Sequence, residues 1–211
     1  TKVLSGYGHE VLAISRNTTV MEKLKTSRTN LHILQAEITQ KNGLDEAAGF
    51  VDRQWGTFDV LIHNAGALLH KSFGQTTTDD FMKIYQVNVF AVAELTRRLL
   101  PYIASGAHVV AISSMGGIQG SAKFAGLSAY SSSKGALITL MELLAEEYKD
   151  RGISFNTLAL GAVQTEMLKE AFPDYQAPVT AAEMGQYISD FALNGNKFYN
   201  GKVLQVSNST P

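Results

Sequence analysis

The chain is built on an alternation that leaves few folds open to it. Short apolar runs recur: "EVLAIS" at 10–15, "NLHIL" at 30–34, "FDVLIH" at 58–63, "AHVVAIS" at 107–113, "ISFNTLAL" at 153–160 and "KVLQV" at 202–206. Each is short, bounded and apolar nearly throughout, as strands buried on both faces are. Longer segments of helical character lie between them. One covers 44–55. A second starts after "TTTDD" at 76–80, where Thr78, Asp79 and Asp80 supply helix-start chemistry, and is expected to run to about residue 105. A third covers 129–149, with Leu137, Leu140, Met141 and Leu144 spaced as one apolar stripe. Strand alternating with helix predicts an α/β fold, a doubly wound parallel sheet with helices on both faces.

The beginning of the chain fits that pattern only in part. Residues 1–7 read as the tail of a helix and Gly8 as its stop. In a doubly wound sheet the first strand is central and feeds a glycine-rich turn. This sequence contains neither, and a missing central strand would leave buried backbone groups unpaired. An N-terminal strand and its glycine-rich turn are therefore expected ahead of Thr1, in ~17 or more residues. The 211 residues suit one domain, so 1–211 is read as a single, N-terminally incomplete unit.

Composition narrows the function classes. Apolar residues make up 45% and charged residues 18%, enough for a sizeable core. A net charge of −1 gives no reason to expect nucleic acid or an anionic membrane as partner. There is no cysteine, which removes disulfides, thiolate metal ligands and cysteine nucleophiles together. No metal site is expected. A reducing compartment fits, no apolar run is long enough to span a bilayer, and the first residues do not read as a signal peptide. The expected setting is the cytoplasm.

Four stretches carry candidate chemistry: "HNAG" at 63–66, "VNVF" at 87–90, "ISSMGG" at 112–117 and "YSSSK" at 130–134. Each alone has an ordinary reading. A Ser pair closing a strand is turn chemistry, Asn88 in an apolar helix can bond to backbone, and Tyr130 and Lys134 can decorate a solvated helix face. Their joint order carries more. Three of the four stand at a predicted strand end or open the helix after one, where ligands bind in open α/β sheets. Tyr130 and Lys134, four apart, share a helix face. A lysine ammonium there favours the phenolate, and a free phenol, with a pKa near ~10, exchanges protons poorly at neutral pH.

In this set the chain resembles the classical short-chain dehydrogenase/reductase family, from Val11 to the C-terminal strand. The family's Asn-Asn-Ala-Gly turn, active-site Asn, Ser and Tyr-x-x-x-Lys are matched by Asn64, Ala65 and Gly66, by Asn88, by Ser114, and by Tyr130 and Lys134. The resemblance implies a Rossmann-type nucleotide-binding domain and an oxidoreductase interconverting a carbonyl and an alcohol. Tyr130 is then the general acid and base, and Ser114 holds the substrate oxygen. Lys134 hydrogen-bonds the nicotinamide ribose, and Asn88 holds a water that passes protons from Lys134 to solvent. Two departures stand out. The loop "MGGIQGSAKFAGLSA" between Ser114 and Tyr130 is longer than the family's usual one, leaving Ser113 as the alternative serine. His63 replaces the usual Asn; it is read as a strand-end imidazole bonded to backbone, with no catalytic role.

The residues just after the first strand bear on the cofactor. An NAD-binding protein of this architecture places an acid there for the ribose 2′-hydroxyl. Here the chain has Ser15, Arg16 and Asn17, and a guanidinium can fork onto a 2′-phosphate. NADP(H) is expected rather than NAD(H), with reduction the expected direction. Glu37 and Ile38 match the family's element beside the adenine. In "NTLALGAVQTEM" at 156–167, Gly161 allows a sharp turn, and the resemblance gives Val163 a backbone bond to the carboxamide and lets the Thr165 hydroxyl reach the carboxamide or a phosphate.

The segment around 166–180 matches the family's substrate lid. Its Met167, Leu168, Phe172 and Tyr175, with "ALLHKSF" at 67–73 and Phe124, point to a small, partly apolar carbonyl or alcohol substrate. The competing reading is a non-catalytic relative that binds a nucleotide to regulate or assemble a partner; the intact Asn, Ser, Tyr and Lys set argues against it. By resemblance, the long helices imply a homodimer or homotetramer.

Overall fold

The computed structural model describes residues 1–207, which fall into two compact units. The first comprises Thr1–Thr57 and Glu94–Tyr102, the second Phe58–Ala93 and the chain from Ile103 onward.

In the first unit, α1 (Lys2–Gly6) leads to β1 (Val11–Ser15), α2 (Thr19–Lys25), β2 (Leu31–Gln35) and α3 (Lys41–Gln54). Gly8 ends the first helix with φ +89, a left-handed conformation that glycine adopts without steric cost. β1 and β2 pair in parallel, Val11 opposite Leu31 and Ser15 opposite Gln35. Asn30 ties the two ends of α1–β1 together, donating from Nδ2 to the carbonyls of Ser5 (2.9 Å) and His9 (2.8 Å). α3 starts three residues before the predicted 44 and buries Leu44, Ala47 and Val51, one stripe of a 3.6-residue repeat.

The second unit is organised by a four-stranded parallel sheet in the order β3-β4-β5-β8, with β3 at Phe58–His63, β4 at Ile103–Ser114, β5 at Ser154–Leu160 and β8 at Val203–Val206. Alternation along β4 sorts its two faces. Val110 and Ile112 join Leu158 of β5 in a core closed by Phe191 and Ala192 of α8 (Ala181–Asn194). The intervening Val109 and Ala111 are fully buried, and Ser113 on the same face bonds to α6 (Ser128–Glu147). Helices thus cover both faces. Truncating Leu158, which has no exposed surface, would cost about 2–5 kcal/mol.

The helix expected from 78 to about 105 is shorter and broken. Its cap is Thr77, one residue ahead of the predicted start: Thr77 and Asp80 form a capping box on α4 (Thr78–Tyr85). A π-helical turn, Gln86–Phe90, then interrupts the ladder before α5 (Ala91–Leu99) and a 3₁₀ turn, Leu100–Tyr102. Pro101 cannot extend an α-helix, and β4 begins at Ile103, earlier than its apolar run indicated. On α6, Leu137, Ile138, Met141 and Ala145 are buried, while Leu140 and Leu144 of the predicted stripe are half-buried. The remaining elements are β6 (Val163–Gln164), α7 (Glu166–Ala171) and β7 (Val179–Thr180). β6 and β7 pair in parallel. Among the described residues no helix is long and apolar enough to cross a membrane.

Candidate active site

Three pieces of the second unit carry the site: the end of β4, the first turns of α6, and the π turn at 86–90. The two serines ending β4 point to different tasks, as alternation requires. Ser113 is buried and its Oγ donates to the carbonyl of Lys134 at 2.9 Å. Ser114 caps the 3₁₀ turn Met115–Gly117, its Oγ accepting from Gly116 N at 3.2 Å, and shares a hydrogen bond with the Tyr130 side chain. Only Ser114 therefore has its hydroxyl at the phenol.

Tyr130 and Lys134 lie on one face of α6, with Lys134 Nζ 5.9 Å from the centre of the Tyr130 ring. Lys134 is 4% exposed, and burial lowers its pKa to about 8, which still leaves it charged at pH 7. Its Nζ donates to the Ile112 carbonyl at 2.8 Å. An ammonium has three donors, so two remain for other partners. For Tyr130 the direction differs from the expected one. Burial, the larger influence, pushes the phenol up, and the Ser114 hydrogen bond pulls it back only in part. The reason is geometric: the ammonium sits beside the ring and is held by a backbone carbonyl.

Asn88 is fully buried at the π turn. Its Oδ1 accepts from Ala67 N at 2.8 Å, and its Nδ2 donates to Ala67 O and Ser133 Oγ, both at 2.9 Å. Ser133 Oγ in turn donates to the Tyr130 carbonyl at 2.7 Å. The π turn, a common distortion at functional sites, re-aims Asn88 so that one amide links the loop after β3 to the Tyr130 helix. Asn64 and Ala65 in that loop are exposed. Beside them, a Cβ placed on Gly66 would stand 3.5 Å from Lys134 Nζ and 3.6 Å from Asn88 Oδ1. The bare face of Gly66 thus leaves room next to the unused lysine donors. His63 is buried and its pKa is lowered to about 4, so it stays neutral.

The other predicted positions are spread over both units. In the first unit, Ser15 Oγ accepts from Asn17 N at 3.3 Å and Asn17 Oδ1 from Thr19 N at 3.0 Å, fixing the bend after β1. Arg16 is exposed and 3.5 Å from Glu37 Oε2. Glu37 Oε1 accepts from Thr39 N at 3.2 Å, and Ile38 is half-buried. In the second unit, Gly161 does not adopt positive φ, so a sharp left-handed turn is not what requires it. A Cβ there would fall 2.3 Å from Ser207 Oγ, so the requirement is the close pass of the chain after β8. Val163 pairs with Val179 through β6 and β7. Thr165 caps α7, its Oγ1 accepting from Leu168 N at 3.2 Å. An open depression of ≈ 560 Å³ is lined by Gln164, Thr165, Glu166, Met167, Lys169 and Ala181. From the segment expected to form a lid, Phe172 meets His70, ring centres 4.9 Å apart.

Sequence reasoning passes over Ser133, although it stands inside the quoted "YSSSK", and Gly43. The latter has a signal in hindsight: a glycine three residues into a helix is unfavourable unless something packs on it. Here a Cβ would lie 2.3 Å from the Glu37 carbonyl oxygen.

Known proteins resemble the chain in sequence and in fold. A family model described as short chain dehydrogenase matches residues 1–176. Among curated proteins, the 2-(R)-hydroxypropyl-CoM dehydrogenase of Xanthobacter autotrophicus is 29% identical over 171 residues, covering 76% of this chain and 67% of that protein. An uncharacterized oxidoreductase of Bacillus subtilis is 23% identical over 72% of this chain, and the match spans only about half of its length, 52%. Among solved structures, a 4-hydroxyisoleucine dehydrogenase mutant complexed with NADH and succinate superimposes with a TM-score of 0.87 at 20% identity, covering 99% of this chain and 91% of that one. ElxO with NADP bound gives a TM-score of 0.83 at 25% identity, covering 97% and 89%.

Proposed function

Because the chain belongs to the short chain dehydrogenase family, we propose that it is an NADP(H)-dependent oxidoreductase that interconverts a carbonyl and an alcohol, with Tyr130 as general acid and base. The observation that carries the reading is the Ser114–Tyr130 hydrogen bond, formed on a helix face shared with the buried cation of Lys134.

The residues fit a nicotinamide cofactor: Lys134 has donors left for a ribose hydroxyl, beside the bare Gly66. When bound, the cofactor supplies or accepts the hydride. The chain's own groups do the rest. Burial keeps the Tyr130 phenol protonated at neutral pH, so in the reductive direction it starts as a loaded proton donor. Ser114 and Tyr130 together hold the substrate oxygen and stabilise the charge that develops there. Lys134, still cationic near pH 7, stabilises the phenolate left behind. Asn88 fixes the loop after β3, and its remaining Oδ1 lone pair is the one that could take a relay water.

Ser15, Arg16, Asn17, Glu37 and Ile38 take the adenosine end. Arg16 is exposed and its partner Glu37 is 3.5 Å away, so the guanidinium is loosely held and able to turn to a 2′-phosphate. Asn64, Ala65, Gly66, Gly161, Val163 and Thr165 take the nicotinamide end. The substrate is a small, partly apolar carbonyl compound, and the setting is the cytoplasm. Exposed Met82 on α4, Phe90 at the end of the π turn and Leu143 on α6 support a homodimer or homotetramer, which a solution mass checks.

The test is Tyr130→Phe. It should lower carbonyl reduction by about 10²–10⁴-fold while NADPH binding stays within about twofold. Unchanged turnover would overturn the role given to Tyr130, and nucleotide binding without turnover in the wild type would favour the non-catalytic alternative. Arg16→Ala should raise the KM for NADPH about tenfold and leave that for NADH unaltered, the loss of one charge-assisted contact.

A further inference from the structure

The peptide that carries Lys134 is gripped from several directions at once. Lys134 Nζ reaches back to the Ile112 carbonyl at 2.8 Å. The next residue of β4, Ser113, donates its Oγ to the Lys134 carbonyl at 2.9 Å. Gly117 then lies flat on the bond joining Lys134 to Gly135. A Cβ on Gly117 would stand 2.7 Å from the Lys134 carbonyl carbon, 2.9 Å from Gly135 N and 3.0 Å from Lys134 Cβ, and one on Gly135 would stand 3.3 Å from the Gly117 carbonyl oxygen. The 2.7 and 2.9 Å contacts from Gly117 are to backbone, which cannot move aside for a side chain without shifting the helix.

We propose that Ser113, Gly117 and Gly135 form a clamp on the Lys134 peptide, and that Ser113 and Gly117 are positioning residues for proton transfer at Tyr130. The inference rests on the proposed oxidoreductase function. Its physical basis is shared movement: Tyr130 and Lys134 both ride on α6, so a small translation of α6 against β4 draws the ammonium from the Ile112 carbonyl and the phenol from Ser114 together. The same clamp fixes Ser114, which lies between Ser113 and the 3₁₀ turn ending at Gly117, so one backbone contact sets both ends of the Ser114–Tyr130 hydrogen bond. Ser113 acts through Lys134 and not on the substrate, which explains two adjacent serines with different environments. Gly116 serves as an internal control. A Cβ there would meet a side-chain atom, Ser131 Oγ, at 2.8 Å, whereas the next contact, Ser131 Cβ, is at an ordinary 3.6 Å.

The experiment uses steady-state kinetics of the full chain with NADP(H) and a carbonyl/alcohol pair, plus the pH profile of alcohol oxidation. Gly117→Ala should lower kcat by about 10–10²-fold, the penalty of a slight misplacement, with a smaller rise in the coenzyme KM, because Lys134 also holds the ribose. Its pH profile should move to higher pH, since a phenol drawn away from Ser114 loses the hydrogen bond that favours its phenolate. Ser113→Ala should act in the same direction more weakly, and Ser113→Thr should restore activity by restoring the hydroxyl. Gly116→Ala should be impaired far less than Gly117→Ala, because the Ser131 hydroxyl it meets can turn aside, and an equal loss would count against the clamp. Ser113→Ala adds no atoms, so it carries the test should Gly117→Ala fail to fold. Wild-type kcat and pH profile in Gly117→Ala or in Ser113→Ala, alongside an inactive Tyr130→Phe, would overturn the clamp alone. A fully active Tyr130→Phe would overturn the functional reading beneath it.

Discussion

Strand β4 carries two buried polar networks, one at its middle and one at its end, and they are built on opposite plans. At the middle, His108 and Asn156 are almost wholly buried and close on themselves. His108 Nδ1 meets the Ala192 carbonyl at 3.0 Å and its Nε2 meets Asn156 Nδ2 at 2.9 Å. A carbonyl can only accept, so Nδ1 carries the proton and Nε2 receives the amide. Asn156 Nδ2 also donates to Tyr199 O (2.9 Å), and its Oδ1 accepts from Lys202 N (3.0 Å). Every polar side-chain atom of this pair has a protein partner. At the end of the strand, Lys134 keeps two donors beyond its bond to Ile112, and the Ser114–Tyr130 pair meets at hydroxyls able to take a third oxygen. A closed network specifies packing, while one with valences left open can receive a ligand.

The contrast can be broken most decisively at Lys134. Lys134→Met should lower turnover by about 10²–10³-fold yet change stability by no more than about 1 kcal/mol, because removing a buried cation offsets the lost bond to Ile112. A large loss of stability would show that the lysine belongs with the closed kind. Asn156→Ala should do the reverse. It leaves His108 Nε2, Tyr199 O and Lys202 N without their partner and should cost about 4 kcal/mol in denaturant unfolding, with the kcat of the folded fraction unaltered.

Acid probes the same boundary. His63 has a folded pKa of about 4 against an ordinary 6.5, so between those values the unfolded chain binds more protons. Stability is therefore complete above pH 6.5 and falls as pH drops toward 4, by about 3 kcal/mol from this residue. His63→Asn should remove that part of the slope in unfolding experiments across the window. A remainder should persist from His108, whose pKa burial also lowers. The smallest effect is expected at Ser133, which bridges the Asn88 amide to the Tyr130 carbonyl. Ser133→Ala should cost about 1 kcal/mol and reduce turnover only slightly, placing it on the closed rim of an open site.

Local chemistry is legible in proportion to how local its cause is. Strand β3 matches its apolar run at both ends, 58 and 63, and the remaining strands lie within a few residues of theirs. The helix after residue 76 departs from its expected course at three points. Thr77, not a later residue, provides the cap; a π turn interrupts the ladder; and Pro101 stops the helix before β4. The first and last have sequence signals, whereas the π turn depends on Asn88 reaching Ala67 and Ser133, twenty-one and forty-five residues away. For the same reason residue type suggests ordinary uses for Asn88 and for the turn after β3, but not the connection between them.

By itself the sequence determined the strand–helix alternation and the parallel sheet it requires, through order and periodicity along the chain, and its resemblance to a family singled out Asn88, Ser114, Tyr130 and Lys134 as candidates, with Ser113 the alternative serine. Tertiary structure decided which of two adjacent serines meets the phenol, why Gly161 and Gly117 must lack side chains, and that burial raises the Tyr130 pKa where a lysine four residues on was expected to lower it. The physical reason is that a pKa, a close backbone contact and a hydrogen bond across forty-five residues depend on what surrounds a group in space, and spacing along the chain fixes only which helix face it shares.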